Sequence, residues 1–196
     1  MKGILFKPEM IQAIIEGRKT QTRRVIKPQP IIAQTYKGLT LKDLEYDGFK
    51  PRYQVGEPVY IKEAWATEKQ YDHLKPSEIP HTAKIFYVSD GVGEWPTNLS
   101  IGKLRSPLFL PEPFARYFIL IKDVRAERLQ EISEWDAQAE GIEAFYRTTP
   151  CGYSWEAKER TKRFIELWNS INKDYPWESN PWVFRYEFEY QSKENV

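Results

Sequence analysis

The chain has 196 residues, with 29 Lys and Arg against 28 Asp and Glu, so its net charge is +1 and any nucleic-acid contact has to come from a local patch. A single cysteine, Cys151, excludes an internal disulfide and a thiolate zinc cluster, and fits a reducing cytoplasm. No apolar run approaches membrane-spanning length and the N-terminus lacks a secretory apolar segment, so one domain with a sizeable core, carrying insertions, is expected, without a membrane partner.

In chain order, Ile4 to Phe6 reads as a short strand. Pro8 then suits the first position of a helix in which Met10, Ile11, Ile14 and Ile15 recur at helical spacing, and Gly17 ends it. The stretch Gly17-Arg18-Lys19-Thr20-Gln21-Thr22-Arg23-Arg24 packs four cations and two hydroxyls into the change from helix to extended chain. Two readings fit it. It is an anion site, with guanidinium forks, a mobile ammonium and hydroxyls, or its cations complement the negative end of the preceding helix.

Thr20 to Ile26 is extended by its β-branched content, Lys27-Pro28-Gln29-Pro30 interrupts it, and Ile31 to Gln54 reads mainly as loop. Gly56-Glu57-Pro58 turns the chain into a strand, Val59 to Ala66, with Val59, Ile61, Glu63 and Trp65 sharing one face. A carboxylate among apolar neighbours needs a cation, here expected from the basic stretch, unless twist carries Glu63 to solvent at the sheet edge.

Residues 67–102 read as a polar insertion containing a strand, Lys84 to Val88. The proline-punctuated segment Pro107 to Pro113 leads to a strand, Tyr117 to Val124, apolar enough for burial on both faces, with a second piece at Ala126 to Gln130. Ser133-Glu134-Trp135-Asp136 has the form of a capping box, so a short helix starts there and stops at Gly141. Glu140 in its last turn leans towards a raised pKa unless a cation compensates, which suits an acid or base but equally describes an ordinary helix glutamate. Ser154 is expected to cap a longer helix with Ala157, Thr161, Phe164, Trp168 and Ile171 as its buried stripe. After Asn180-Pro181, the residues Trp182, Phe184, Tyr186, Phe188 and Tyr190 alternate with Val183, Arg185, Glu187 and Glu189 as a strand with a core face and a wet face.

His73 and His81 lack Cys or acidic partners at ligand spacing, so no metal site is expected. A Gly-x-Ser-x-Gly elbow, a Walker loop and a dinucleotide glycine fingerprint are all absent, and no cofactor is expected. Any catalysis must rest on Lys, Thr, Arg, Glu and Tyr, which suffice for metal-free acyl transfer or hydrolysis.

The ordered set Gly17-Arg18-Lys19-Thr20-x-Thr22-x-Arg24, Gly56-Glu57-Pro58-Val59-Tyr60-Ile61-Lys62-Glu63, and Arg128-Leu129-Gln130 with Ala139-Glu140-Gly141 resembles the ASCH family. Glu63-Ala64-Trp65 and Asn180-Pro181-Trp182-Val183 look like its phage- and prophage-associated branch. The resemblance implies an α+β, PUA-like fold, a small β-barrel flanked by helices, as a single domain over 1–196 with elaborations at about 67–102 and 143–178. It also implies a cleft for a nucleoside or single-stranded RNA. Some small bacterial members are amidohydrolases of N4-acetylcytidine, and their Lys, Thr and Glu set falls on Lys19, Thr22 and Glu140. Arg24, Glu63, Trp65, Arg105 and Arg116 are the corresponding candidates for substrate binding. Lys19 and Thr22 have opposite parity on a regular strand, so both reach one cleft only if Lys19 is still in the turn. A non-catalytic RNA-binding module, with Lys103, Arg105, Arg116 and Arg128 extending a basic groove, and a ribonuclease are the competing readings.

Overall fold

The computed structural model describes residues 1–30, 41–46, 48–90, 100–143, 145–148, 151, 154–157 and 159–193; the side chains of 41, 45, 46, 145–148 and 154–157 stand outside the description. Four α-helices run over Pro8–Ile15 (α1), Leu41–Tyr46 (α2), Glu134–Ala139 (α3) and Arg160–Ile171 (α4). The strands are Lys2–Leu5 (β1), Gln21–Val25 (β2), Pro58–Lys62 (β3), Trp65–Thr67 (β4), Ile85–Tyr87 (β5), Phe118–Arg128 (β6), Phe145–Thr148 (β7), Ser154–Ala157 (β8) and Trp182–Gln191 (β9). The fold is α+β. Its main sheet has the order β1-β3-β6-β9-β2, with β4-β5 and β7-β8 as separate pairs. Among the described residues β1 and β2 are its edges, so the sheet is not closed into a barrel.

By its internal contacts the chain divides into two compact units, one of residues 1–15, 57–120 and 190–196, the other of 16–56 and 121–189. In the first, β1 runs parallel to β3 and β3 antiparallel to the start of β6. Trp65, Ile79, Ala83, Leu110 and Phe114 form one core cluster there, and Tyr60, Ala115 and Phe118 another. In the second, β2 pairs antiparallel with β9, Thr22 facing Tyr186 and Arg23 facing Arg185. Leu129, Ile132, Ala137, Phe164, Trp168 and Val183 make its core. Phe164 and Trp168 on α4 and Trp182, Phe184, Tyr186 and Phe188 on β9 are buried packing residues, as their periodicity implied.

Several boundaries follow the local signals. Pro8 opens α1, which buries Ile11, Ala13 and Ile14, and Gly17 turns the chain at φ +73°, a conformation that glycine adopts without a Cβ clash. Ser133 caps α3, its hydroxyl accepting from the Asp136 amide while Asp136 returns to the Ser133 amide. Gly141 at φ +88° ends it.

Other expectations are corrected. Residues 41–46 are helical, where loop was expected; 31–40 lie outside the described residues. The strand expected over Val59 to Ala66 breaks after Lys62, because Trp65 leaves the main sheet to pair with Tyr87 and to bridge Arg105. Val59, Tyr60 and Ile61 are all buried, so β3 is covered on both faces and simple alternation fails. β6 is one continuous strand of 11 residues, where two pieces were expected. The helix expected from Ser154 starts only at Arg160, since 154–157 pairs with β7 as a hairpin strand; Ile171, expected in the stripe, is exposed. Val183, expected on a wet face, is fully buried against Phe164 and Trp168.

Candidate functional site

Lys19 and Glu140, 121 positions apart, meet in the second unit. Gly17 turns the chain ahead of β2, so Lys19 comes before the strand and forms an isolated antiparallel bridge with Glu140, reinforced by Thr20 N donating to the Ala139 carbonyl at 2.8 Å. Lys19 is 2% exposed and Glu140 6%. The Lys19 ammonium donates to Glu140 Oε2 at 2.6 Å and to the carbonyls of Gln21 and Glu140 at 2.8 Å each. Burial pulls the Lys19 pKa below the ordinary lysine value; Glu140 opposes that, while Arg24 and Arg23 add to it. The cation that Glu140 needs at the negative end of α3 is therefore present.

Arg23 extends the pair into a network that the sequence reading left out. Its Nη1 reaches Glu140 Oε1 at 3.1 Å, its Nε reaches Glu127 Oε1 at 2.7 Å and its Nη2 lies 3.5 Å from Asp136. Arg185, directly opposite on β9, lies 3.3 Å from Asp123 and 3.4 Å from Asp136. Two arginines face to face across a strand pair repel each other, and the carboxylates between them offset that. Burial raises the Glu127 pKa against the opposing pull of Arg23 and Arg185. Burial also acts to raise Asp136, but hydrogen bonds from Ser133 and the two arginines outweigh it and hold the group below its ordinary value. The available signal was register: Arg23 and Arg185 take the same side of paired strands, which one strand read alone does not reveal.

Thr22 is 4% exposed, and none of the described residues hydrogen-bonds its hydroxyl. Arg24 is half-buried, and burial lowers its pKa, opposed by Tyr53, Glu140 and Tyr186 and assisted by Arg52. Lys19, Thr22, Arg24 and Glu140 thus belong to one unit, and Arg24 lies near enough to Lys19 and Glu140 for their charges to interact.

The other four candidates belong to the first unit. Glu63 is 1% exposed, and its cation is Arg116 at 3.0 Å to both carboxylate oxygens, where the basic stretch was expected. Ser89 donates to the same carboxylate, and Arg116 also holds Asp90 at 2.7 Å. The guanidinium carbon lies over the rings of Tyr87 and Tyr117, 4.0 and 4.7 Å from their centroids. Burial acts to lower the Arg116 pKa, but the bonds to Glu63 and Asp90 raise it on balance. Burial pushes Tyr87 up to about 12. Trp65 is fully buried under the Arg105 guanidinium, which donates to the carbonyls of Tyr71 at 2.8 Å and Leu74 at 3.2 Å. Trp65 and Arg105 are therefore engaged in holding the segment after β4.

A pocket of about 770 Å³ opens in the second unit. Thr20, Ala139 and Gly141 line it, whereas their chain neighbours Lys19 and Glu140, and Thr22, do not. Among the described residues no group of three His, Cys, Asp or Glu could hold a metal ion, and no helix is long and apolar enough to cross a membrane.

No family model matches the sequence, and no curated protein does. Among solved structures, that of protein EF3133 from Enterococcus faecalis V583, family DUF984, is similar over 98% of this chain and 82% of its own length, at 12% identity and a TM-score of 0.43. A likeness at that level carries no argument about fold or function.

Proposed function

We propose that the second unit carries a nucleoside cleft of the ASCH, PUA-like kind, in which Lys19, Thr22 and Glu140 hydrolyse the N4-acyl amide of an acylated cytidine, in a cytoplasmic setting. The observation that supports the reading is the buried 2.6 Å contact between Lys19 Nζ and Glu140 Oε2, in the unit that also holds the buried Thr22. At that separation a proton can pass from Nζ to Oε2, leaving a neutral amine next to a neutral acid, and burial of Lys19 favours the exchange.

The Lys19 amine then takes a proton from a water held by Thr22 Oγ1, and the water oxygen bonds to the acyl carbon. The C–N4 bond breaks as Glu140 gives its proton to the departing amine. Carboxylic acid and cytidine leave, with Lys19 again an ammonium and Glu140 a carboxylate. Arg23 holds the second Glu140 oxygen and fixes the acid's orientation. The half-exposed Arg24 marks the side from which the amide reaches a centre otherwise closed to water, where fixed charges act strongly.

The competing RNA-binding and ribonuclease readings draw less support, because three cations of the expected groove are engaged within the protein, Arg116 by Glu63 and Asp90, and Arg105 and Arg128 by backbone carbonyls, while Lys19 is held by Glu140. The test is cytidine release from N4-acetylcytidine by the purified chain, beside Lys19→Ala, Thr22→Ala, Glu140→Ala and Glu140→Gln. Loss of an acid or base costs about 100-fold or more in rate. The amide variant Glu140→Gln keeps hydrogen-bonding capacity, which separates lost chemistry from lost folding, and urea unfolding of each variant makes that separation explicit. Full turnover in all the variants overturns the reading.

A further inference from the structure

The pocket beside the charged pair has chemistry of its own. Trp135 is 79% exposed, more than any other exposed large apolar side chain among the described residues, although it sits in a capped helix next to the core residue Ala137. Its place in α3 explains this. Ala137 takes the core face and Asp136 and Glu140 take the charged face, while Trp135 and Gln138, three positions apart, share the remaining face and line the pocket. Across from them stand Thr20, Arg18 and Arg160. Arg160 is fixed there because the carboxylate of Glu134 accepts from the amides of Arg160 and Thr161, at 3.1 Å each, tying the start of α4 to α3.

The lining selects against a strongly anionic ligand. The Arg18 side chain is held by Glu16 and lies 3.4 Å from Glu143, whose own side chain is 67% exposed and lines the same pocket. A phosphate chain would meet a carboxylate wherever it met Arg18. What remains is one wide indole face with an amide, a hydroxyl, the Arg18–Glu143 pair and Arg160, whose charge acts on the nearby Glu134 carboxylate.

We infer that this pocket is a binding site for an uncharged planar heteroaromatic ring with donors and acceptors on its edge, stacked on Trp135. The volume, about 770 Å³, lies within the range of small-molecule sites and exceeds what one six-membered ring needs, so a bicyclic ring fits it. Gln138 supplies both a donor and an acceptor to the ring edge, and Thr20 a hydroxyl. The inference stands apart from the deacylation reading, since Lys19, Thr22 and Glu140 do not line the pocket and no turnover is required.

The probes are adenosine, guanosine and cytidine, with AMP and ATP as charged counterparts, titrated by calorimetry and by tryptophan fluorescence. The expected result is saturable binding of the nucleosides, strongest for the bicyclic ones, with about tenfold weaker binding in Trp135→Ala and a smaller loss in Gln138→Ala. Trp135 is exposed, so its truncation leaves the fold intact, and an unchanged circular dichroism melt verifies that. Affinity equal in wild type and Trp135→Ala overturns the inference, as does no saturable binding of any probe. Binding that strengthens with each added phosphate overturns the uncharged-ring assignment.

Discussion

Tyr186 stands across from Thr22 in the β2–β9 pairing and is 1% exposed. Its hydroxyl accepts from the Arg52 amide at 3.1 Å, and its ring meets that of Tyr53 edge-on at 5.3 Å. Burial pushes the phenol up to about 12, with the Arg52 and Tyr53 amides and Arg24 opposing the rise. An acid whose native pKa exceeds its unfolded value binds more protons in the folded state between the two. Its stabilising contribution is present in full below the ordinary tyrosine value of 10.0 and is lost as pH rises through about 12. That displacement amounts to about 3 kcal/mol at most. Urea unfolding between about pH 9 and about pH 11.5 is expected to show stability falling more steeply in wild type than in Tyr186→Phe. Tyr87, also raised to about 12, contributes equally to both proteins, so the difference isolates Tyr186. Parallel curves would count against a buried, protonated phenol beside the candidate site. At this scale the residue types of the site were legible and their partners were not. Lys19 and Glu140 could be named from the motif, but Arg23, written there as an unspecified position, contacts three carboxylates, Glu127, Asp136 and Glu140.

At the scale of elements, what decided legibility was how far away the capping group lies. The Ser133 and Asp136 exchange spans three positions, so the start of α3 could be read locally. α4 begins at Arg160 because Glu134, 26 positions earlier, satisfies the first amides of the helix, and a window centred on Ser154 cannot contain that partner. Glu134 is held below its ordinary carboxylate value chiefly by its bond to Thr161, as expected of an acid receiving helix amides. Glu134→Ala is therefore expected to lower stability by about 1 kcal/mol, the usual cost of a lost N-cap, although the residue lies in another helix. Hydrogen exchange at the Arg160 and Thr161 amides locates the effect. Protection there that matches wild type would mean that the contact does not cap α4. The same logic explains the split strand after Lys62: alternation in the sequence describes faces, but whether Trp65 stays in the main sheet depends on Tyr87 and Arg105, which local pattern does not encode.

Across the whole molecule, cations and carboxylates are matched through long-range contacts. Lys19 with Glu140, Arg116 with Glu63 and Asp90, and Arg185 with Asp123 and Asp136 join residues 26 to 121 positions apart. Sequence reading left Glu63 between a cation partner, expected in the basic stretch 17–24, and solvent at the sheet edge, because composition carries no information about which distant strand or turn will face it. The near-zero net charge, by contrast, was fully legible and now acquires a structural basis. A groove that tracks phosphates requires cations whose counterions are mobile salt, whereas here Arg23, Arg116 and Arg185 already have fixed carboxylate partners. Binding of a single-stranded oligouridine, followed by fluorescence anisotropy from about 50 to about 300 mM salt, is expected to be weak, with a log–log slope no steeper than about −1.5. Each phosphate neutralised on a single strand contributes about −0.7 to that slope, so the expected value corresponds to two contacts at most. A slope of about −4 or steeper would require a row of cations that the carboxylates do not neutralise. It would shift the functional reading from a small uncharged ligand to an RNA strand.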